Sequence, residues 1–158
     1  MKNLKFKTIL LLITGLLIAS TNVYAQRGYN GWGQNSNYGR LFNTKTIETI
    51  SGTVEAVEII SMDTKMPTGI HLKVKTKSEI ISVHLGPSWY LDNQEIQFEK
   101  GDKITVTGSR ISYQNSPAVI AAEVVKGDHI LHLRNKAGYP VWNGWRKKGI
   151  GKRRNSNF

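Results

Sequence analysis

Residues 69–85 read GIHLKVKTKSEIISVHL, two alternating runs on either side of a short polar turn. Apolar side chains occupy every second position in both runs, which is typical of half-buried β-strands. If Lys77 and Ser78 form the turn, Leu72 faces Val83 and the apolar faces of the two strands coincide. We therefore predict an antiparallel hairpin with one face in a hydrophobic core.

The same periodicity extends along most of the chain. A long strand is predicted before the hairpin, over residues 46–60, and three strands follow it, over residues 103–112, 117–126 and 129–134. Residues 87–98 begin with proline, which is favoured at the first position of a helix. Three strands, a short helix and two further strands is the order of the OB fold. We predict an all-β, OB-fold-like five-stranded barrel with a short helix between strands 3 and 4 and an extra C-terminal strand. A β-sandwich is the alternative.

The first residues have the three zones of a secretory signal peptide. Lys2, Lys5 and Lys7 precede an uncharged apolar run at residues 8–19, and a small-residue cleavage motif ends at Ala25. The apolar run is shorter than the roughly 20 residues of a membrane span, which is the alternative. Cleavage near Ala25 predicts a periplasmic or secreted protein. The chain has no cysteine, so a hydrophobic core rather than disulfides must hold the exported domain together.

The flanks of the predicted domain differ from it in composition. Residues 1–25 are the predicted signal peptide, residues 26–44 a flexible leader rich in Gly and Asn, residues 45–142 the OB-fold-like domain and residues 143–158 a basic disordered tail. Asn-Gly-Trp occurs in both flanks, at residues 30–32 and 143–145. We attribute this repeat to the loop-rich composition of the flanks, with docking of each Trp on the domain as the alternative.

Charge is concentrated in the tail. The chain carries a net charge of +11, but residues 26–145 hold 13 basic and 11 acidic residues, a net charge of +2. A tail of this kind predicts electrostatic attachment to a polyanion or an anionic membrane surface, with a solubilising terminus as the alternative. Its basic residues are Arg146, Lys147, Lys148, Lys152, Arg153 and Arg154.

Histidines supply the first candidate site. The hairpin register places His71 opposite His84, with Cβ atoms about 5 Å apart. Two imidazoles in this position could share a divalent metal ion. Because zinc sites use three or four ligands, the alternative is a pair of half-exposed histidines on the strand surface. The wider ligand face predicted around them consists of His71, Lys73, Lys75, Ser82, His84 and Tyr113.

Catalysis and sequence-specific DNA binding both lack support. The chain has no G-x-S-x-G motif, phosphate loop or dinucleotide fingerprint. We therefore predict a protein that is not an enzyme and has no cofactor other than the divalent metal considered above. The outward residues of strands 2 and 3 include no Tyr, Phe or Trp on which bases could stack. Export would also separate the protein from the genome, so sequence-specific DNA is an unfavourable partner.

Several short motifs together resemble a family of small exported bacterial OB-fold proteins. They are SGTVEAV at residues 51–57, HLGPSWYL at 84–91, GDKITVTGS at 101–109, and the C-terminal pattern of Leu133-Arg134 with Gly138 and residues 140–142. The resemblance covers residues 46–142 and implies the fold and export. Members are largely uncharacterised and are sometimes labelled DNA-binding from their fold, which does not itself determine function.

Three functions follow from these observations. The first is an exported, non-enzymatic OB-fold binding module for an envelope protein or small ligand, attached through its basic tail. The second is a protein that binds single-stranded nucleic acid or another polyanion. The third is a metal- or haem-associated envelope protein that uses His71 and His84.

Overall fold

The computed structural model describes residues 31–61 and 67–143. Its regular elements are β1 (Ile47–Ile60), β2 (Gly69–Lys75), β3 (Ile80–Pro87), α1 (Ser88–Leu91), β4 (Lys103–Tyr113), β5 (Ser116–Lys126) and β6 (His129–His132). Two short 3-10 helices, Gly39–Leu41 and Thr44–Thr46, precede β1. The predicted signal peptide and basic tail lie outside the described residues, so their predictions stay untested.

A closed barrel forms because the sheet returns on itself. The strand order is β3-β2-β1-β4-β5-β6, and β3 also pairs with β5 in parallel. This second pairing joins residues 82–84 to residues 118–120 and closes β1 to β5 into a five-stranded barrel, with β6 bonded outside it. The short α1 lies between β3 and β4. The predicted all-β, OB-fold-like architecture is therefore confirmed.

The long β1 takes part in both halves of the barrel. Its first half pairs with β4 and its second half with β2, and the change of partner occurs at Thr53. A side chain at the neighbouring Gly52 would collide with the carbonyl oxygen of Lys75, so glycine allows β1 to cross close to β2 at this bend. The interior is filled by fully buried aliphatic residues, among them Val54, Leu72, Val74, Ile81, Val83, Leu85, Val106 and Val119.

The helix after β3 covers only Ser88–Leu91, so it is shorter than the helical segment predicted within residues 87–98. After Leu91, the side chains of Asn93 and Gln94 bond to the carbonyl oxygens of Trp89 and Tyr90. Such local side-chain bonds compete with continuation of a helix. Tyr90 and Leu91 are buried in the hydrophobic core, whereas Trp89 is half-buried. None of the described helices is long and apolar enough to cross a membrane.

The predicted flexible leader is wrong for the part of it that the structure describes. Trp32, Tyr38 and Phe42 are all buried and belong to the hydrophobic core. Trp142, from the other end of the domain, donates its indole N–H to the carbonyl oxygen of Trp32 at 2.9 Å. The composition of residues 26–44 suggested that this segment could not fold alone. Its described part, residues 31–44, is ordered because Trp32, Tyr38 and Phe42 are buried against the barrel.

Candidate functional site

The hairpin register is as predicted. Thr76 and Glu79 flank the turn, joined by a backbone hydrogen bond of 2.8 Å, and His71 lies opposite His84. The two imidazole rings are stacked, with centroids 3.7 Å apart and planes 10° from parallel. The expectation that they are half-exposed is wrong, because His71 is 2% and His84 is 1% exposed. They lie outside the barrel interior and are nevertheless covered.

Aromatic side chains distant in sequence surround His84. Tyr38 stacks at a centroid distance of 5.9 Å, and its hydroxyl group lies 2.9 Å from His84 Nδ1. Tyr113, at the end of β4, meets His84 edge to face at 5.2 Å. In the tautomer that carries its hydrogen on Nε2, His84 accepts this hydrogen bond from Tyr38. Tyr38, His84 and His71 thus form one column of stacked rings, which we call the ring column.

Burial keeps the ring column uncharged. Desolvation lowers the pKa of His71 from 6.5 to about 4, and the Glu58 carboxylate opposes this shift. Desolvation lowers the pKa of His84 to about 3, assisted by His71 and by the Arg134 guanidinium. Burial also raises the pKa of the Tyr38 hydroxyl well above its ordinary value. At neutral pH both imidazoles are therefore neutral, and each has one donor and one acceptor nitrogen.

Arg134 brings a buried positive charge close to the ring column. Its Nη1 donates to the carbonyl oxygens of Ala121 and Leu85, and the side chain has no ion pair with a described carboxylate. The guanidinium carbon lies 5.0 Å from the Trp142 ring centroid and 5.8 Å from that of Phe42. Backbone carbonyls and aromatic faces therefore replace water around this cation. Desolvation lowers the Arg134 pKa to about 10, so the group stays charged at neutral pH.

Both indoles depend on glycine beneath them. A Cβ atom at Gly69 would overlap the Trp32 ring, and one at Gly86 would lie 2.7 Å from the Trp142 ring. The two glycines occupy neighbouring strands, since Gly86 pairs with Ile70 and Gly69 with Pro87. Glycine at these positions lets the indoles lie directly on the backbone.

A cleft of about 320 Å³ lies beside the ring column, and we call it the histidine cleft. It is lined by the end of β1, by His71, Lys73, Ser82 and His84, and by the β4–β5 turn with Tyr113 and Gln114. His71 Nε2 is buried and has no hydrogen-bond partner among the described residues. A buried polar atom without a partner costs about 1–3 kcal/mol. Such an atom beside a cleft marks a place where a ligand or water is expected.

Most of the predicted ligand face comes together, but Lys75 does not join it. His71, Lys73, Ser82, His84 and Tyr113 all line the histidine cleft. Lys73 is paired with Glu58 at 3.1 Å, so its charge is largely balanced. Lys75 lines a different cleft, at the opposite end of the β4–β5 hairpin.

The ring stacking does not favour a metal ion shared by His71 and His84. A metal bound to imidazole lies near the ring plane, about 2.0–2.1 Å from the nitrogen. An ion in the plane of either ring lies well outside the plane of its stacked neighbour, because the rings are nearly parallel at 3.7 Å. Within residues 31–61 and 67–143, no group of three or more His, Cys, Asp or Glu side chains is placed to hold a metal.

Residues missed by the sequence analysis complete the site. Tyr38, Trp32, Arg134 and Trp142 were not among its candidates, although all four are buried and Tyr38 contacts His84 directly. The Asn-Gly-Trp repeat was a usable signal for Trp32. This residue docks on the domain, as the alternative interpretation of the repeat predicted. Trp145, the second Trp of the repeat, lies outside the described residues.

Comparison with known proteins places the fold in a family. The model of the MamS/MamX magnetosome protein family matches residues 46–131, which run from the start of β1 to within β6. No curated protein matches the chain. A chain in the crystal structure of the S. pombe Stn1-Ten1 complex is similar at 18% identity, over 68% of this chain and 71% of that chain, with a TM-score of 0.38. That likeness is too weak to support a functional argument. The family match extends over more than half of the sequence, and the chain belongs to the MamS/MamX magnetosome protein family.

Proposed function

We propose that this protein is a non-enzymatic binding module that takes a small neutral ligand, or a short segment of an envelope protein, in the histidine cleft. The observation that carries the proposal is the buried Nε2 of His71, which has no hydrogen-bond partner among the described residues, in a side chain that lines a cleft of about 320 Å³. This volume is at the lower end of the roughly 300–1,000 Å³ typical of small-ligand sites. The turn between β4 and β5, which flanks the cleft, is one of the loops through which OB folds bind ligands.

The chemistry of the cleft indicates which ligand groups suit it. Neutral imidazoles offer hydrogen bonds without charge, and Lys73 already has Glu58 as a partner. A second cation would be repelled by Arg134, whose guanidinium acts on His84 strongly enough to lower the pKa of that ring. A hydroxyl or amide group satisfies His71 Nε2 in either tautomer, because each of these groups has both a donor and an acceptor.

The remaining parts of the proposal concern location and attachment. We propose that the domain acts outside the cytoplasm after cleavage near Ala25, and that the basic tail attaches it to an anionic surface. The zones of the first residues and the cluster of basic residues after residue 145 support this view.

The test uses N-acetylserinamide, which carries a hydroxyl and two amides, titrated into the full mature chain and followed by amide NMR shifts. We expect saturable shifts at Ser82, Gln114 and Ala118. His71→Phe keeps a planar ring but removes the nitrogen, so these shifts should disappear in that variant. Lys77→Gln, remote from the cleft, should leave them unchanged. Shifts elsewhere on the barrel, or shifts that survive in a folded His71→Phe variant, would contradict the proposal.

The alternative, a metal site, is tested by titrating zinc, copper or nickel chloride into the same protein and recording its NMR spectrum. If the ring column binds no metal, the His71 and His84 ring resonances should stay in place at stoichiometric metal. Movement of both sets of resonances together, and its loss in His71→Phe, would replace the neutral-ligand proposal with a metal site. Such a result would also require the two rings to leave their stacked arrangement.

A further inference from the structure

A second cleft, larger and more open, lies at the other end of the β4–β5 hairpin. Its volume is about 610 Å³, and its walls include Lys75, Lys77 and Lys103 together with the hydroxyl groups of Ser51, Thr53 and Thr105. The histidine cleft lies at the turn between β4 and β5, whereas this one lies where β4 begins and β5 ends. We call it the lysine cleft.

The residues that line the lysine cleft carry positive charge and no negative charge. No carboxylate is among its lining residues. The closest pairing of its lysines in the described structure is Lys75 with Glu55, at 3.9 Å between side chains that are 66% and 37% exposed. Asp102, next to Lys103 in sequence, is already paired with Lys126 at 2.7 Å. The folded domain is almost neutral overall, so this concentration of positive charge is local to the cleft.

The shape of the lysine cleft comes from the fold of β1. β1 changes partner from β4 to β2 at Thr53, and Gly52 allows the close crossing. The end of β2 and the start of β4 therefore lie on either side of residues 51–53, and each carries lysine. A hydrogen bond of 2.9 Å between the hydroxyl groups of Ser51 and Thr105 spans β1 and β4 at this position.

The residues that line the lysine cleft determine what kind of anion it can bind. Lysine ammonium groups bind phosphate oxygens as point charges, and hydroxyl groups add donors. No aromatic ring lines the cleft, so stacking on nucleic-acid bases is unavailable there. Lys75 and Lys103 belong to different strands on either side of residues 51–53, so a chain of anionic groups can contact more than one ammonium group at once. We propose that the lysine cleft is a second binding site, separate from the histidine cleft, for a linear ligand that carries consecutive phosphate groups.

Sodium tripolyphosphate is the probe, and binding is measured by isothermal calorimetry on the full mature chain. The basic tail binds anions in its own right, so the background replaces Arg146, Lys147, Lys148, Lys152, Arg153 and Arg154 with Gln and keeps the chain length. On this background we compare the cleft variant Lys75→Gln/Lys77→Gln/Lys103→Gln with the control variant Lys45→Gln/Lys100→Gln/Lys136→Gln. The control lysines are also exposed, so both triple variants lose the same charge from the surface.

We expect the cleft variant to bind tripolyphosphate at least roughly tenfold more weakly, and the control variant to change by less than about twofold, by the usual strength of exposed ion pairs. Binding should weaken as salt rises from about 50 to 200 mM. Equal loss in the two variants would mean that net charge alone is responsible, and would overturn the proposal. Binding to vesicles of anionic lipid without binding to tripolyphosphate would overturn it as well. Melting curves of both variants verify that the chain is folded.

Discussion

The two clefts differ in how the protein treats polar groups. In the histidine cleft, imidazoles are withdrawn from water beneath aromatic rings, and burial holds their pKa values low. In the lysine cleft, the lysine ammonium groups are exposed to water, and only the path of the backbone brings them close together. The first arrangement is part of the folded core and affects stability. The second adds charge to a surface at little structural cost. Substitutions should therefore have large effects on stability at the first cleft and small ones at the second.

The largest difference is expected from truncating the ring column. Tyr38→Ala should lower the free energy of unfolding by about 3–5 kcal/mol, because a buried aromatic ring is removed and a cavity is left. Lys77→Ala in the lysine cleft should change it by less than about 0.5 kcal/mol. Urea denaturation of the two variants measures both values. A Tyr38→Ala protein within about 1 kcal/mol of wild type, the net worth of a single hydrogen bond, would mean that residues 31–43 contribute little to the fold.

Acid should destabilise the protein through the two histidines. Their folded pKa values, about 4 and about 3, lie below the unfolded value of 6.5. The unfolded chain therefore binds more protons, so stability is full above pH 6.5 and is lost as pH falls towards 4. The loss between pH 6.5 and pH 5 should reach about 3 kcal/mol at most for the two rings together.

Urea denaturation across this pH range, on wild type and His71→Phe, isolates the contribution of the ring column. The variant lacks one of the two lowered pKa values, so its stability should fall by about half as much as that of wild type. Equal pH dependence in the two proteins would show that other groups cause the loss. Carboxylates such as Asp102, whose pKa is also lowered, act in a more acidic window.

A smaller effect is expected from the hydroxyl group of Tyr38 alone. Tyr38→Phe keeps the ring but removes the hydrogen bond to His84, and should lower the free energy of unfolding by about 0.5–1.5 kcal/mol. The ring nitrogen resonances of His84 should shift in the same variant. An unchanged His84 Nδ1 resonance would indicate that this hydrogen bond does not form in solution.

The smallest effect on stability is expected in the lysine cleft. The variant Lys75→Gln/Lys77→Gln/Lys103→Gln should unfold within about 0.5 kcal/mol of wild type in total, because its exposed side chains make only the weak pairing with Glu55. A greater loss of stability in this variant than in Tyr38→Phe would contradict the difference between the two clefts. Thermal denaturation of the two proteins at one salt concentration decides the order.

Local features were predictable from sequence and distant packing was not. Strict alternation and a polar turn determined the register of His71 against His84, and the order of elements indicated the barrel. The surroundings of His84 include Tyr38, which lies 46 positions away in the sequence, and Arg134 donates to the carbonyl oxygen of the neighbouring Leu85 from a distance of 49 positions. Alternation reports which face of a strand is apolar, but it cannot report that another segment covers the opposite face.

The positions of two glycines gave part of the information about which segments pack against the strands. Gly69 and Gly86 occupy strand ends, where glycine often marks the close approach of another group. Combined with the tryptophans in the flanks, they could have indicated that indoles dock there. The charge of Lys75 was noticed, but Lys75 lines a different cleft from His71, beside the point where β1 changes partner, and the pattern of β2 itself gives no signal of this.

The most direct test of a buried, neutral histidine pair is imidazole ¹⁵N NMR of residues 26–158 at pH 5. The folded pKa values predict that the His71 and His84 rings both remain neutral there, each with one protonated and one unprotonated nitrogen. If either ring carries a proton on both nitrogens at pH 5, with a midpoint near 6.5, the ring column is exposed to water. That result would contradict a buried, neutral pair of histidines beside the histidine cleft.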